Sequence, residues 1–251
     1  MARDPSFEVV VDDGAAIDGP VVLGVADAGV AGLTAVDYLT SRAEADQVGH
    51  VRAHNLPDVA PFSEGRPRHP VRLYDLGAVT VCVSELSVPV PVADTFTDAL
   101  FEWLGTVDAA ELAVLYGATY PHSEDQHVVS HVATDGYRTK HFDGADTGID
   151  PLSGGFFDGI VGECMIRGLD EETPPVGALV TPAHPPSVDF EAAIRLVETF
   201  GTLYDVAVDT DELRGRSEAV KEYYHGLAER MEASRGAEGR SRDVPEDRMY
   251  M

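Results

Sequence analysis

An α/β fold, with a mostly parallel or mixed central sheet flanked by helices, is predicted by the alternation of strand-like and helix-like segments along this 251-residue chain. Short β-branched runs that suit buried strands recur, and segments with apolar residues at helical spacing separate them. An apolar fraction of 44% is enough for such a sheet to have a core. We expect one α/β domain over residues 1–232 and a flexible tail over residues 233–251.

The first half of the chain contains the clearest strand–turn–helix unit. The continuous apolar run from Val21 to Val25 predicts a buried strand, and a Gly-rich turn and a helical pattern through Leu39 follow it. Residues 78–86 are rich in β-branched side chains and predict a central strand of a covered sheet. Further strands are expected at 50–55, 70–76 and 109–119, and a helix at 92–107.

The second half begins with a polar, His-rich segment, residues 120–155, which predicts one or two short strands among loops. Ser187 and Thr210 are expected to begin the last two helices, because hydroxyl side chains accept hydrogen bonds from the first free N–H groups of a helix. From Ser234 the apolar pattern stops, and the composition predicts a disordered or loosely held linker. The expected elements are a helix at 156–169, a strand at 175–184, and helices at 187–206 and 210–233.

The net charge of -26 excludes several classes of partner. A field this negative repels nucleic acid and anionic membrane surfaces, and its lysine-poor composition favours a cytoplasm with molar salt, where the repulsion is screened. We find neither a signal-peptide pattern nor an apolar run that could span a membrane, and we expect a cytoplasmic protein. Cys82 and Cys164 lie in apolar surroundings and are expected to be buried free thiols.

The turn "GVADAGVAG" follows a strand and begins a helix, which is the context of a nucleotide-binding loop. Its glycines, Gly24, Gly29 and Gly32, have the wrong spacing, because Ala26 stands where the second glycine of a dinucleotide fingerprint belongs. Asp27 would also repel a pyrophosphate. Close packing of strand against helix is therefore the favoured interpretation, with ligand binding as the alternative.

Four histidines stand in or beside the polar segment. Imidazoles spaced in this way bind a transition metal if the backbone brings them together. The spacing nevertheless matches no helix-borne His-Glu-x-x-His pair, so histidines at loops and strand edges are favoured, and no metal or cofactor is expected. The four are His122, His127, His131 and His141.

No catalytic residue is predicted. The sequence has neither a Gly-x-Ser-x-Gly elbow nor a cysteine beside a histidine. Glu85 follows a predicted strand, at the position where α/β sheets bind ligands, but position alone supports it.

The last three residues form a candidate recognition element at the end of the tail. Tyr250 offers apolar area and a hydroxyl, Met249 suits an adjacent apolar recess, and Met251 carries the α-carboxylate that a basic pocket can capture. The preceding linker of some 15 residues spans about 20 Å as a flexible coil, so the tripeptide is tethered.

Five segments together resemble the proteasome assembly chaperone 2 family, in particular its archaeal members. The resemblance covers roughly residues 8–230 and implies a nucleoside phosphorylase-like α/β sandwich that is homo-oligomeric. The five are "VVLGVADAGVAGLTAVDYL", "VRLYDLGAVTVCVSELSVPVP", "FTDALFEWLGTVDAAELAVLYG", "GGFFDGIVGECMIRGL" and "DFEAAIRLVETFGTLYDVAVDTDEL".

Some members of that family end in a hydrophobic residue, a tyrosine and any residue, which insert between adjacent α subunits of the proteasome core particle. The resemblance implies the same roles for Met249, Tyr250 and Met251, with a pocket lysine as partner of the carboxylate.

Two hypotheses about function follow. The first is a non-enzymatic chaperone or adaptor that binds the α ring of the core particle, in assembly or in activation. The alternative is a nucleoside- or nucleotide-binding enzyme that uses the mouth of the sheet near Gly29 and Glu85, and it rests on fold analogy.

Overall fold

An eight-stranded mixed sheet lies at the centre of the protein. The computed structural model describes residues 4–12, 14–15, 17, 19–42, 45–56, 59–144 and 146–222. Within these ranges the strands are β1 (Ser6–Val11), β2 (Pro20–Val25), β3 (Asp46–His54), β4 (Phe62–Ser63), β5 (Arg66–Pro67), β6 (Val71–Asp75), β7 (Thr80–Ser84), β8 (Glu111–Ala118), β9 (Ser130–Ala133) and β10 (Val176–Pro182). The helices are α1 (Ala31–Arg42), α2 (Ala93–Thr106), α3 (Asp135–His141), α4 (Gly159–Arg167) and α5 (Phe190–Tyr204).

The chain divides into two compact units, Met1–Thr210 and Asp211–Met251. The sheet and helices α1 to α5 all belong to the first unit. In the second unit the chain is helical over 211–222. The predicted boundary between domain and tail, 232/233, lies outside the described residues.

The strand order is β1-β3-β6-β7-β2-β8-β10-β9. The four central strands, β7, β2, β8 and β10, are parallel to one another. On one side β6, β3 and β1 continue the sheet with antiparallel pairings, and on the other side β9 pairs antiparallel with β10. The sheet is therefore mixed, one of the two arrangements that the sequence predicted, while β4 and β5 form a separate hairpin.

Helices cover both faces of the central strands, which explains why these strands read as continuous apolar runs. Along β2 the side chains alternate between the two layers. Val21 and Leu23 belong to the core that also contains Phe96 of α2 and Cys164 of α4. Gly24 faces the opposite way, toward Val36 of α1.

Two glycines let α1 approach the sheet closely. A Cβ atom on Gly24 would lie 2.3 Å from a side-chain methyl of Val36, and one on Gly32 would lie 2.0 Å from the carbonyl oxygen of Leu115. Neither distance is possible for a real side chain, so only glycine fits. The predicted packing role of these glycines is confirmed.

Cys82 and Cys164 are buried free thiols, as expected. In the described part of the chain no helix is both long and apolar enough to cross a membrane.

Several local features differ from the sequence prediction. Strand β1 and the β4–β5 hairpin were not expected, and the polar segment contains a helix, α3, in addition to the expected short strand β9. The expected N-cap Ser187 is wrong, because α5 begins at Phe190 and its cap is Asp189, whose carboxylate accepts a hydrogen bond from the N–H group of Ala192. A carboxylate at this position also interacts favourably with the positive end of the helix dipole.

Candidate functional site

The parallel strands end together at one side of the sheet, which we call the carboxyl edge. In α/β proteins ligands bind beyond this end of the strands. Gly29 follows β2, Glu85 follows β7, His122 follows β8 and His184 follows β10. The carboxyl edge therefore brings together both residues named for the enzyme hypothesis and two histidines.

Gly29 positions the turn after β2 against the start of α5. Its φ of +60° is a left-handed conformation that favours glycine. Its carbonyl oxygen accepts a hydrogen bond from the N–H group of Asp189 at 2.8 Å. A Cβ atom on Gly29 would lie 2.9 Å from the Cβ of Asp189, so this residue serves close packing rather than a phosphate cradle.

Asp189 joins the start of α5 to the loop after β10. One carboxylate oxygen caps the helix, and the other accepts hydrogen bonds from the backbone N–H and the Nδ1–H of His184, both at 2.9 Å. Burial alone would raise the pKa of Asp189, but hydrogen bonds from Ala192 and His184 and the charge of Arg195 lower it. The carboxylate is therefore ionised and holds the His184 ring in place.

Three histidine rings meet at the carboxyl edge. The Nε2 atom of His122 lies 2.8 Å from Nε2 of His127 and 3.2 Å from Nε2 of His184. Partial burial, Arg195 and the two neighbouring histidines lower the pKa of His127, whereas Asp189 opposes that shift. Sequence reasoning identified His122 and His127 as metal candidates but missed His184, which reaches them because β8 and β10 are adjacent in the sheet.

The other two histidine candidates lie elsewhere and take part in internal contacts. The ring of His131 stacks on Phe142 with centroids 3.8 Å apart, and its Nδ1 donates to the carbonyl oxygen of Ile149. His141 lies at the end of α3, and its Nε2 is 2.7 Å from Oε1 of Glu111. Neither belongs to the group formed by His122, His127 and His184.

Glu111 is a fully buried carboxylate at the amino end of β8. Its Oε2 forms an ion pair with Nζ of Lys140 at 2.8 Å, and its Oε1 meets His141. Burial would raise the pKa of Glu111, but the contacts with His141 and Lys140 outweigh burial and lower it. Beside the strand that carries it, the hydroxyls of Tyr137 and Tyr204 lie 2.7 Å apart. This buried polar network lies at the opposite edge of the sheet from His122, His127 and His184.

Glu85 is bound by two arginines. Its Oε1 accepts from Arg68 at 2.9 Å, and its Oε2 accepts from Arg72 at 2.7 Å. The guanidinium of Arg72 is fully buried and also donates to the hydroxyl of Tyr74. Burial would lower the pKa of Arg72, but the contacts with Glu85 and Tyr74 raise it. A carboxylate engaged on both oxygens is suited to fixing β6 against the end of β7, and not to acid–base chemistry.

A pair of carboxylates, Asp27 and Asp158, also faces the carboxyl edge. Partial burial, followed by the charge of Asp158, raises the pKa of Asp27 to about 6. Burial and the same two carboxylates raise the pKa of Tyr116 to about 12. The charge here is negative, which supports the expectation that Asp27 disfavours a pyrophosphate.

Apolar side chains are exposed on and around α4, and we call this region the α4 surface. Phe156 precedes the helix and is 92% exposed, Ile166 lies in its last turn, and Leu169 follows it at 70% exposure. Val90 lies in a neighbouring 3₁₀ turn that contacts α4 and is also exposed. Large apolar side chains exposed along one helix and its flanks favour a surface that another protein covers.

The predicted docking residues Met249, Tyr250 and Met251 lie outside the described residues. Their role stays a prediction from the sequence.

Comparison with known proteins gives one family and a set of similar folds. The family model described as the PAC2 family matches residues 21–228. No curated protein matches the chain.

Two archaeal structures and one bacterial structure illustrate the likeness of fold. Pyrococcus furiosus PbaA, described as an archaeal homolog of proteasome-assembly chaperone, aligns with a TM-score of 0.81 and 20% identity, over 93% of this chain and 97% of its own. Pyrococcus furiosus PbaB, described as an archaeal proteasome activator, aligns with a TM-score of 0.72 and 14% identity, over 89% of this chain and 99% of its own. A PAC2 family protein from Streptomyces avermitilis aligns with a TM-score of 0.62 and 18% identity, over 84% of this chain and 96% of its own. At these identities the likeness establishes the fold.

Proposed function

Because the chain belongs to the PAC2 family, we propose that it is a cytoplasmic, non-enzymatic chaperone or adaptor of the proteasome core particle. The observation that carries this proposal is the family match, which extends over residues 21–228. Two proteins of the same fold, PbaA and PbaB, are described as a proteasome-assembly chaperone homolog and a proteasome activator. The partner that we propose is the ring of α subunits of the core particle.

We place the contact with the α ring at Met249, Tyr250 and Met251. In this proposal Met251 bears the terminal carboxylate, Tyr250 anchors the orientation, and Met249 fills an apolar recess. A tripeptide is a small ligand and ordering its linker costs entropy, so one tail binds weakly. At molar salt long-range attraction is screened, and affinity depends on direct contact of these side chains and the carboxylate.

A homo-oligomer would overcome the weakness of a single tail. Several tails presented to a ring of repeated pockets bind together, because each bound tail raises the effective concentration of the next. We propose that the α4 surface, with Phe156, Ile166 and Leu169, is where copies of the chain associate. Burial of these exposed side chains would stabilise the contact by the hydrophobic effect, at roughly 25 cal/mol per Å².

The contacts at the carboxyl edge support a non-enzymatic function. Gly29 packs against Asp189, and Glu85 is held by Arg68 and Arg72. Both residues on which the alternative of a nucleoside- or nucleotide-binding enzyme depended are therefore engaged within the protein.

The test is co-migration of the full chain with a purified archaeal core particle on a sizing column in molar salt. We compare the full chain with a variant that lacks Met249, Tyr250 and Met251. We expect the full chain to co-migrate with the core particle and the truncated variant not to. Absence of binding by both proteins would overturn the proposed function, whereas equal binding by both would overturn only the tail mechanism.

Two further assays with the same protein distinguish assembly from activation. Peptide hydrolysis by a finished core particle rises if the protein is an activator. A faster appearance of complete particles from separate subunits, without that rise, identifies an assembly chaperone.

A further inference from the structure

We propose that His122, His127 and His184 form a binding site for one divalent transition-metal ion, which we test with zinc. The three side chains converge at the carboxyl edge, and one nitrogen from each lies within 4.8 Å of the others. They come from two loops, one after β8 and one after β10. Imidazole nitrogen is a ligand that Zn²⁺, Ni²⁺ and Cu²⁺ prefer, whereas Mg²⁺ and Ca²⁺ prefer oxygen.

The hydrogen bonds of the outer ring nitrogens fix the tautomers of two of these histidines. Nδ1 of His122 lies 2.7 Å from the carbonyl oxygen of Tyr120, which can only accept, so Nδ1 carries the proton. Nδ1 of His184 donates in the same way to the carboxylate of Asp189 at 2.9 Å. Whenever these rings carry a single proton, Nε2 of each is therefore an unprotonated acceptor.

Two acceptors thus face each other. Nε2 of His122 and Nε2 of His184 are 3.2 Å apart, with no proton of their own to share. His127 can supply one proton, but its Nε2, 2.8 Å from that of His122, cannot satisfy both acceptors at once. A metal cation bound by all three Nε2 atoms would accept a lone pair from each of them.

The spacing suits a metal ion. Two nitrogens bound to a tetrahedral zinc ion at about 2.0–2.1 Å are roughly 3.3 Å apart. The two separations that involve His122, 2.8 and 3.2 Å, are close to that value. The third pair, His127 and His184, lies within 4.8 Å, and the side chains on these loops must move to bring all three nitrogens to one ion. Three protein ligands leave a fourth position, which faces solvent because the side chain of His184 is 55% exposed. A water molecule can complete the tetrahedron at that position.

The hydrogen bonds of the Nδ1 atoms resemble those that orient the histidines of known metal sites. Metal-binding histidines commonly donate their other ring N–H to a carboxylate or to a backbone carbonyl, which orients the ring. Asp189 and the carbonyl of Tyr120 supply one of each. Asp189 is itself fixed by the N–H group of Ala192 and by its backbone bond to Gly29. Asp189 is therefore a positioning residue of the proposed site.

The test is a zinc titration of the full-length protein without a histidine tag, using a competing chromophoric chelator. The chain has 44 acidic residues, so the buffer contains molar KCl and an excess of Mg²⁺ to occupy sites made of carboxylates alone. We expect one equivalent of Zn²⁺ to bind tightly. His127→Ala and His184→Ala should each weaken the affinity at least about 100-fold, and Asp189→Asn about 10- to 100-fold.

His54→Ala is the matched control, because His54 is a half-exposed histidine on β3 and should leave zinc affinity unchanged. Circular dichroism of each metal-free variant checks that it is folded, and His127→Gln replaces any alanine variant that is not. The Co²⁺-loaded protein gives a second readout, since visible absorption of a four-coordinate ion should appear in the wild type and vanish in His184→Ala.

Lack of stoichiometric binding by the wild type would overturn the proposal and would leave a shared proton as the occupant of the cluster. Undiminished zinc affinity in both His127→Ala and His184→Ala would overturn it too, since the ion would then be bound elsewhere. Neither result depends on proteasome binding, so this proposal and the proposed function fail or stand separately.

Discussion

Nη1 of Arg72 lies 2.7 Å from Oε2 of Glu85, and the guanidinium that it belongs to is fully buried. The other oxygen of Glu85 meets Arg68, which is partly exposed. One carboxylate thus neutralises a cation that water cannot reach. We therefore expect Glu85 to stabilise the antiparallel half of the sheet.

Removal of the Glu85 carboxylate should be strongly destabilising. Glu85→Ala leaves the buried guanidinium of Arg72 without its negative partner, and loss of one member of a buried pair typically costs about 3–5 kcal/mol of the free energy of unfolding. Guanidinium-induced unfolding measures the change. Glu102→Ala, at an exposed position of α2, is the control and should change stability by less than about 0.5 kcal/mol. A Glu85→Ala protein as stable as this control would contradict the structural role.

Gly32→Ala should damage the packing of α1 against β8. The added Cβ would lie 2.0 Å from the Leu115 carbonyl oxygen, so helix and strand must separate, which we expect to cost more than about 2 kcal/mol. Gly105→Ala in α2 is the matched control, because its Cβ would meet open space. That variant should gain up to about 1 kcal/mol from better helix propensity. Equal thermal stability of the two variants would show that the close approach is absent.

Glu111→Gln should destabilise the protein in a pH-dependent way. The folded protein lowers the pKa of Glu111, so the carboxylate contributes stability above its ordinary pKa, near 4.5, and loses that contribution as the pH falls through the lowered value. At pH 7 we expect a loss of roughly 2–4 kcal/mol on substitution. The difference from the wild type should shrink below pH 4.5. Denaturant unfolding between pH 3.5 and 7 measures it, and a difference that stays constant would be incompatible with the ion pair.

Within the proposed tail, Tyr250 and the terminal carboxylate should matter more than the side chain of Met251. Tyr250→Ala and amidation of the C-terminus should each weaken binding to the core particle on the order of ten-fold or more, because a hot-spot aromatic or a charge-assisted contact is lost. Met251→Ala, which keeps the carboxylate, is the matched control and should change affinity less than about three-fold. Surface-immobilised core particle in molar salt provides the measurement. A larger effect of Met251→Ala than of amidation would reverse these roles.

The α4 surface should control association between copies of the chain. Phe156→Asp combined with Ile166→Asp puts two charges into the proposed apolar contact and should convert the proposed oligomer into monomers. Light scattering coupled to a sizing column reports the mass. Phe62→Asp is the control, since Phe62 is 76% exposed on the β4–β5 hairpin, away from α4 in sequence, and should leave the mass unchanged. An oligomer that survives the double substitution would place the contact on another surface.

Buried parallel strands were the part of the fold that the sequence predicted best. The strands at Pro20–Val25, Thr80–Ser84 and Val176–Pro182 are covered on both faces, so their composition alone distinguishes them. Strand β1 and helix α3 gave no such signal. In α3 only Tyr137 is buried. A seven-residue helix with one buried residue shows no repeat of apolar side chains at helical spacing.

The histidine cluster could be predicted only in part. His122 and His127 are close in sequence, whereas His184 stands 62 positions after His122. Its contribution depends on the adjacency of β8 and β10, which the sequence pattern does not encode. Ser187 and Asp189 are both common caps, and the carboxylate occupies the cap position where it also binds His184. The contact of Asp189 with His184, which is distant from local sequence rules, explains why Asp189 and not Ser187 caps the helix.

The position of β10 between β8 and β9 has a consequence for synthesis of the chain on the ribosome. Strand β8 ends at Ala118, but its outer neighbour is complete only once Pro182 has been added, 64 residues later. At translation rates of about 5–20 residues per second, the hydrogen-bonding edge of β8 waits roughly 3–13 s for its partner. Strand β9 emerges within that interval and could pair with β8 in the place of β10. Nascent chains stalled before residue 176 should therefore be the species most prone to mispairing.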